Sequence, residues 1–74
     1  MQSYKGRIGT VSPHPKLKDT YIVTITAFED PERVVATFLI EDADLVEFFT
    51  TSEGWFVYGS IDEFGYMSTI SHEW

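Results

Sequence analysis

The chain has 74 residues and a net charge of −7 at pH 7, so it is one small domain whose core must be packed efficiently. It contains no cysteine, which excludes a disulfide framework and a thiolate metal site. The N-terminus, MQSYKGRIGT, lacks the apolar segment of a secretory signal, and no apolar run approaches the roughly 20 residues that span a bilayer. We therefore expect a single cytoplasmic domain over residues 1–74 that has no contact with a membrane.

The first 28 residues predict two strands joined by a loop. Residues 4–12 alternate as a strand does, and Gly6 and Gly9 within them are typical of a bulge or bend. Residues 12–19, SPHPKLKD, contain two prolines that remove backbone donors, which indicates a loop. Residues 20–28 are rich in β-branched and aromatic side chains and form the second strand.

Residues 33–51, RVVATFLIEDADLVEFFTT, are the most apolar run, and their period changes from strand to helix. After a turn that contains Pro31, residues 33–41 return as the third strand of the sheet. Both faces of this strand are largely apolar, so we expect it to be the best-buried strand, at the centre of the sheet or beneath the helix. Its fully apolar face consists of Val34, Ala36, Phe38 and Ile40.

A short helix is predicted over residues 42–51. Asp42 or Asp44 can cap its N-terminus, and Asp44 with Glu47 has the spacing of a capping box. The apolar stripe that must pack on the strands consists of Leu45, Val46 and Phe49.

The last part of the chain predicts a hairpin. Residues 54–61 form the fourth strand, residues 62–65 form a turn that ends in glycine, and residues 66–74 form the fifth strand. Aromatic side chains lie on both faces of the fourth strand, so at least one of Trp55, Phe56 and Tyr58 faces solvent.

This order of three strands, one helix and two strands covers residues 4–74 and resembles the OB-fold, in which a helix lies between strands three and four of a Greek-key barrel. The bend at Gly6 and Gly9, the turn at Pro31 and the helix after Asp42 stand where that fold has a bend, a hairpin and a plug. The predicted class is therefore mainly β, a small five-stranded antiparallel barrel with one short helix. An SH3-like barrel and a curved antiparallel sheet covered by the helix are the alternatives.

Charge is distributed unevenly along the chain. All five basic residues lie in the first 33 positions, whereas residues 34–74 contain eight acids and no Lys or Arg. Such a balance repels a phosphate backbone and attracts a basic partner surface. Solubility alone is the simpler explanation of the same acidity.

We hypothesise a non-enzymatic protein-binding module, a regulator or inhibitor that docks a basic partner protein. If that basic surface handles nucleic acid, the acidic half occludes it, as small acidic phage inhibitors do. The acids that steer association are Asp42, Asp44, Glu47, Asp62 and Glu63. The aromatic anchors are Trp55, Phe64, Tyr66 and Trp74.

Two other functions use different residues. The OB resemblance implies a single-stranded nucleic-acid interface on strands two and three and the adjoining loops, with Lys16, Lys18 and Arg33 holding phosphates beside nearby aromatics. A homo-oligomeric subunit would instead pair through the edge of the fifth strand.

No catalytic, cofactor or metal motif stands out. His14 lies in the proline-containing loop and His72 near the C-terminus, so neither is joined to a nucleophile and an orienting group. Two histidines without cysteine do not make a zinc site, and the acids around Asp42 have a structural explanation at a helix N-terminus. We therefore predict no enzymatic activity and no cofactor.

Overall fold

A computed structural model describes residues 2–72, with only the backbone of His72. The strands are β1 (Gln2–Pro13), β2 (Tyr21–Thr26), β3 (Val34–Ile40), β4 (Phe56–Ile61) and β5 (Met67–His72), and the helix is α1 (Ala43–Thr51). The five strands form one sheet in the order β3-β2-β1-β4-β5, and all pairs in that order are antiparallel. The predicted element order and the mainly β class are confirmed.

The long strand β1 is the centre of the sheet. Its first half, from Gln2 to Arg7, pairs with β4, and its second half, from Arg7 to Pro13, pairs with β2. The register shifts between Ile8 and Val11, at the position of Gly9. The bulge predicted from the glycines is therefore present. It bends β1, which pairs with β4 along its first half and with β2 along its second half.

The sheet is not closed, so the predicted barrel is not confirmed. β3 and β5 are the two ends of the strand order, and within residues 2–72 an isolated parallel bridge links Leu39 of β3 to Tyr66, the residue before β5. In this bridge the Leu39 N–H donates to the Gly65 carbonyl oxygen at 2.8 Å.

One apolar cluster forms the core. Its buried residues come from all the strands before β5 and from the helix: Tyr4, Ile8, Val23, Ile25, Ala36, Phe38, Ile40, Phe49, Val57 and Ile61. The helix contributes Phe49, which is fully buried, and packs Leu45 and Val46 against the cluster as predicted.

The expectation that β3 is the best-buried strand is wrong. The helix packs on the face of β3 that carries Phe38, so Val35 and Thr37 on the other face are exposed. Val34 is also 54% exposed, although its place in the alternation put it on the core face. A register shift between Ile25 and Thr26 explains this, because it removes Val34 from that alternation.

The helix begins two residues earlier than a capping box at Asp44 requires. Asp42 is the N-cap, and its side chain accepts from the Asp44 N–H at 2.7 Å. The predicted box of Asp44 and Glu47 is therefore wrong, since both residues lie inside the helix. Among residues 2–72, no helix is long and apolar enough to cross a membrane.

Two strand boundaries differ from the predicted ones. β2 ends at Thr26 because Ala27 already begins the turn, where its carbonyl accepts from the Asp30 N–H at 3.3 Å. β4 begins at Phe56, so Trp55 belongs to the connection after the helix. Residues 73 and 74 of the predicted fifth strand lie outside the described residues.

Tyr4 gives the fold a defined response to alkali. Its hydroxyl donates to the Thr69 carbonyl oxygen at 3.1 Å, and burial raises the pKa of Tyr4 to about 12, from 10.0 in a free tyrosine. Below pH 10 the folded and unfolded chains both keep this proton, so stability is unaffected. Above it the unfolded chain loses the proton first, so we expect stability to fall as the pH rises from about 10 to 12.

Urea denaturation across this pH range checks the expectation. Tyr4→Phe should flatten the alkaline decline relative to the parent chain. Tyr58→Phe, at an exposed tyrosine, is the matched control and should leave the decline in place. An equal decline in all three proteins would show that Tyr4 is not responsible.

Candidate functional site

The bridge between β3 and β5 brings two groups of acids together. The hydrogen bond from Leu39 N–H to Gly65 fixes the turn between β4 and β5 beside the end of β3. A chain spans at most about 3.6 Å per residue, so the Cα atoms of four acids lie within roughly 11 Å of Leu39 or Gly65. These four, Glu41, Asp42, Asp62 and Glu63, we call the acidic junction.

The turn of the acidic junction is held rigidly by Asp62. The Asp62 carboxylate oxygen Oδ1 accepts from the backbone N–H groups of Phe64 and Tyr66, at 2.8 and 3.0 Å. Gly65 completes the turn with a φ of 89°, in the left-handed region that favours glycine. Asp62 is therefore half-buried and structural, whereas Glu63 is exposed.

Phe64 is the outstanding apolar feature of the acidic junction. Its side chain is 75% exposed, which is more than any other large hydrophobic residue described. The neighbouring Tyr66 is half-buried. A fully presented phenyl ring on an ordered turn is a ready anchor for a partner, because aromatic side chains supply much of the energy at interface hot spots.

The helix adds two further acids next to this site. Asp44 and Glu47 are exposed and lie in the first half of α1. They are three residues apart and therefore share one side of the helix. A cavity of about 410 Å³, lined by Asp19, Tyr21, Glu41, Ala43 and Val46, adds a further acid beside Glu41. Across residues 2–72, no group of three or more His, Asp or Glu side chains can hold a metal ion.

Trp55 lies in a different aromatic group. Its ring makes an edge contact with Phe48, with centroids 6.1 Å apart, and its carbonyl accepts from the Ile8 N–H. The structure therefore places the turn that contains Asp62, Glu63 and Phe64 beside the end of β3, and it places Trp55 at the middle of β1. Trp74 lies outside the described residues.

The basic residues of the nucleic-acid hypothesis do not converge. Lys16 and Lys18 lie in the loop before β2, whereas Arg33 lies at the far end of the β2–β3 hairpin. Arg33 is also paired with Glu29, at 2.7 Å. The pKa of Glu29 is lowered, first by its own backbone N–H and then by the Arg33 side chain.

His14 has a structural place in the loop between β1 and β2. Its Nδ1 accepts from the backbone N–H groups of Lys16 and Leu17, both at 3.0 Å. The imidazole thus caps the loop.

A second surface was missed by sequence reasoning. On the outer side of β1, Lys5 lies opposite Tyr58 and Arg7 opposite Phe56 in the β1–β4 pairing. A groove of about 460 Å³ runs here, lined by Ser3, Tyr4, Lys5, Phe56, Tyr58 and Gly59. We call this surface the β1–β4 groove. The alternation of Lys5 and Arg7 with buried Tyr4, Gly6 and Ile8 was the available signal.

Arg7 and Phe28 border the β1–β4 groove. The Arg7 guanidinium lies 4.4 Å above the Phe28 ring and donates to the carbonyls of Phe28 and Gly54, at 3.2 and 2.7 Å. Phe28 in turn meets the edge of Phe56, with centroids 5.5 Å apart. Phe28 was predicted to continue the second strand, but it is 57% exposed and packs on this surface.

No family model matches the chain, and comparison with curated proteins and with solved structures finds no match.

Proposed function

We propose that the protein is a non-enzymatic protein-binding module that docks a basic partner through the acidic junction. The observation that supports this most is the hydrogen bond between Leu39 and Gly65, because it joins the turn that presents Glu63 and Phe64 to the end of β3. Phe64 would bury its ring in the partner, and the carboxylates would speed association and select for a basic surface.

An inhibitory role follows if the basic partner handles nucleic acid. The acidic junction would then occupy the surface that binds phosphate, as a competitor of the same charge. An OB-like barrel that is not fully closed is the fold we propose for this module. It is supported by β1 pairing with both β2 and β4 and by the parallel bridge that joins the two ends of the strand order.

The experiment reverses exposed acids that have no structural hydrogen bond. Asp42 and Asp62 are unsuitable because they hold the helix and the turn. In the variant Glu41→Lys/Glu63→Lys we expect association with the basic partner to slow by about 10-fold or more at low salt. Its dependence on salt should also weaken.

A charge-matched control separates the effect of the acidic junction from the effect of the net charge of the protein. Glu32→Lys/Glu53→Lys changes the net charge equally, at exposed positions outside the acidic junction. A partner captured from the source cells and then purified provides the ligand for biolayer interferometry. If association slows equally in both variants, or slows in neither, the acidic junction is not the site that binds the partner.

A titration with a fluorescent single-stranded oligonucleotide at low salt tests the nucleic-acid function. Tight binding that is lost on Lys16→Gln/Lys18→Gln would establish that function in place of the acidic junction.

A further inference from the structure

The strands of this acidic protein contain no Asp or Glu as far as residue 72, although the chain as a whole has a net charge of −7. Of the strands described, only β1 contains Lys or Arg. On the outer side of β1, the first half carries Lys5 and Arg7. The β1–β4 groove is therefore the one described surface where basic and aromatic side chains occur together without an acid in the same strands.

The β4–β5 turn of the same molecule has the complementary chemistry. It presents the phenyl ring of Phe64 beside the free carboxylate of Glu63. The groove offers the rings of Phe56 and Tyr58 beside the ammonium of Lys5, and its volume of about 460 Å³ has room for one phenyl side chain. Aromatic pairs gain energy from edge or offset contacts beyond the buried area.

We propose that two copies of this chain pair by placing Phe64 of each in the β1–β4 groove of the other. Glu63 of one copy then approaches Lys5 of the other. Gly59 in the groove and Phe64 are five residues apart, so the two surfaces lie within roughly 18 Å of each other on one molecule. This short separation favours a closed two-fold pair, in which both contacts form at once.

The net charge sets the conditions in which the pair forms. Two copies of charge −7 repel each other over long distances, but at physiological salt this repulsion is screened beyond about 8 Å. The short-range contact of Phe64 with the side chains of Tyr58 and Lys5 then stabilises the pair. The pairing is independent of a foreign basic partner, although both use the same turn, so the two compete.

The chain has no cysteine, so single cysteines can map the contact. Chains carrying Lys5→Cys and Glu63→Cys are mixed in equal amounts and oxidised. A disulfide requires Cα atoms within about 7 Å. We expect the mixed dimer to exceed the statistical half of the cross-linked product and to reach about nine-tenths, because only that pair of cysteines meets.

Three further measurements decide the outcome. Adding Phe64→Ala to the Glu63→Cys chain should return the mixed dimer to the statistical half, whereas Leu17→Ala, at another exposed apolar residue, should not. A mixture of Lys5→Cys with Glu53→Cys should give statistical products. In sedimentation velocity the parent chain should have twice the mass of the Phe64→Ala variant.

A parent chain that stays monomeric, or statistical cross-linking of Lys5→Cys with Glu63→Cys, would overturn the pairing. Growth beyond a dimer would overturn its two-fold arrangement. Tyr58→Ala removes the groove and leaves the acidic junction intact. Partner binding by that monomeric variant therefore tests the proposed function separately, and either proposal can fail while the other stands.

Discussion

Phe38→Ala should lower the free energy of unfolding by about 3–5 kcal/mol. Phe38 is 2% exposed, and its ring lies 4.9 Å from that of Tyr4 and 5.6 Å from that of Phe49. It therefore joins β1, β3 and the helix, and its removal leaves a cavity that these three elements cannot close. Domains of this size have a total stability of roughly 4–11 kcal/mol, so much of the variant should be unfolded at 37 °C.

Phe64→Ala is the matched control for this substitution. The same side chain is removed, but from a position that is 75% exposed, so the stability of the monomer, measured at protein concentrations too low for pairing, should change by less than about 0.5 kcal/mol. Urea denaturation followed by circular dichroism measures both variants. If Phe38→Ala were as stable as Phe64→Ala, Phe38 would not be packed between β3 and the helix as described.

Gly6→Ala should cost about 3 kcal/mol or more, the upper end of the range for overpacking. A Cβ atom at Gly6 would lie 2.2 Å from the backbone carbonyl oxygen of Thr26 and 2.9 Å from the Ile25 side chain. A backbone carbonyl in the sheet cannot move aside as a flexible side chain does. The pairing of β1 with β2 must open to admit the methyl group.

Gly9→Ala provides a graded comparison. There the nearest atoms to a Cβ, on Thr24 and Thr26, are at 3.0 and 3.1 Å, so a small shift is enough and the loss should be smaller. Thermal unfolding of the two variants beside the parent chain gives the order. A Gly6→Ala protein as stable as Gly9→Ala would mean that β1 and β2 are farther apart than described.

Local features of the sequence determined the elements and their order. Alternation of apolar residues over 20–28 and 33–41 predicted the β2–β3 hairpin, and the helix followed from the acids before Leu45 and the stripe that ends at Phe49. These patterns involve residues within one helical turn or one strand, so they can be recognised from the sequence alone. The uneven distribution of charge was also visible, because charged residues can be counted in the sequence without knowledge of the fold.

Only the tertiary structure decided which surfaces these residues form. The parallel bridge of Leu39 and Tyr66 joins two segments of the chain whose acids are about twenty positions apart, and the β1–β4 pairing sets Lys5 beside Tyr58. The helix packs on the Phe38 face of β3 and leaves Val35 exposed on the other face, although the apolar composition of this strand predicted burial. Sequence patterns give the face of a strand, but the neighbours of that strand depend on long-range pairing, and no local interaction encodes it.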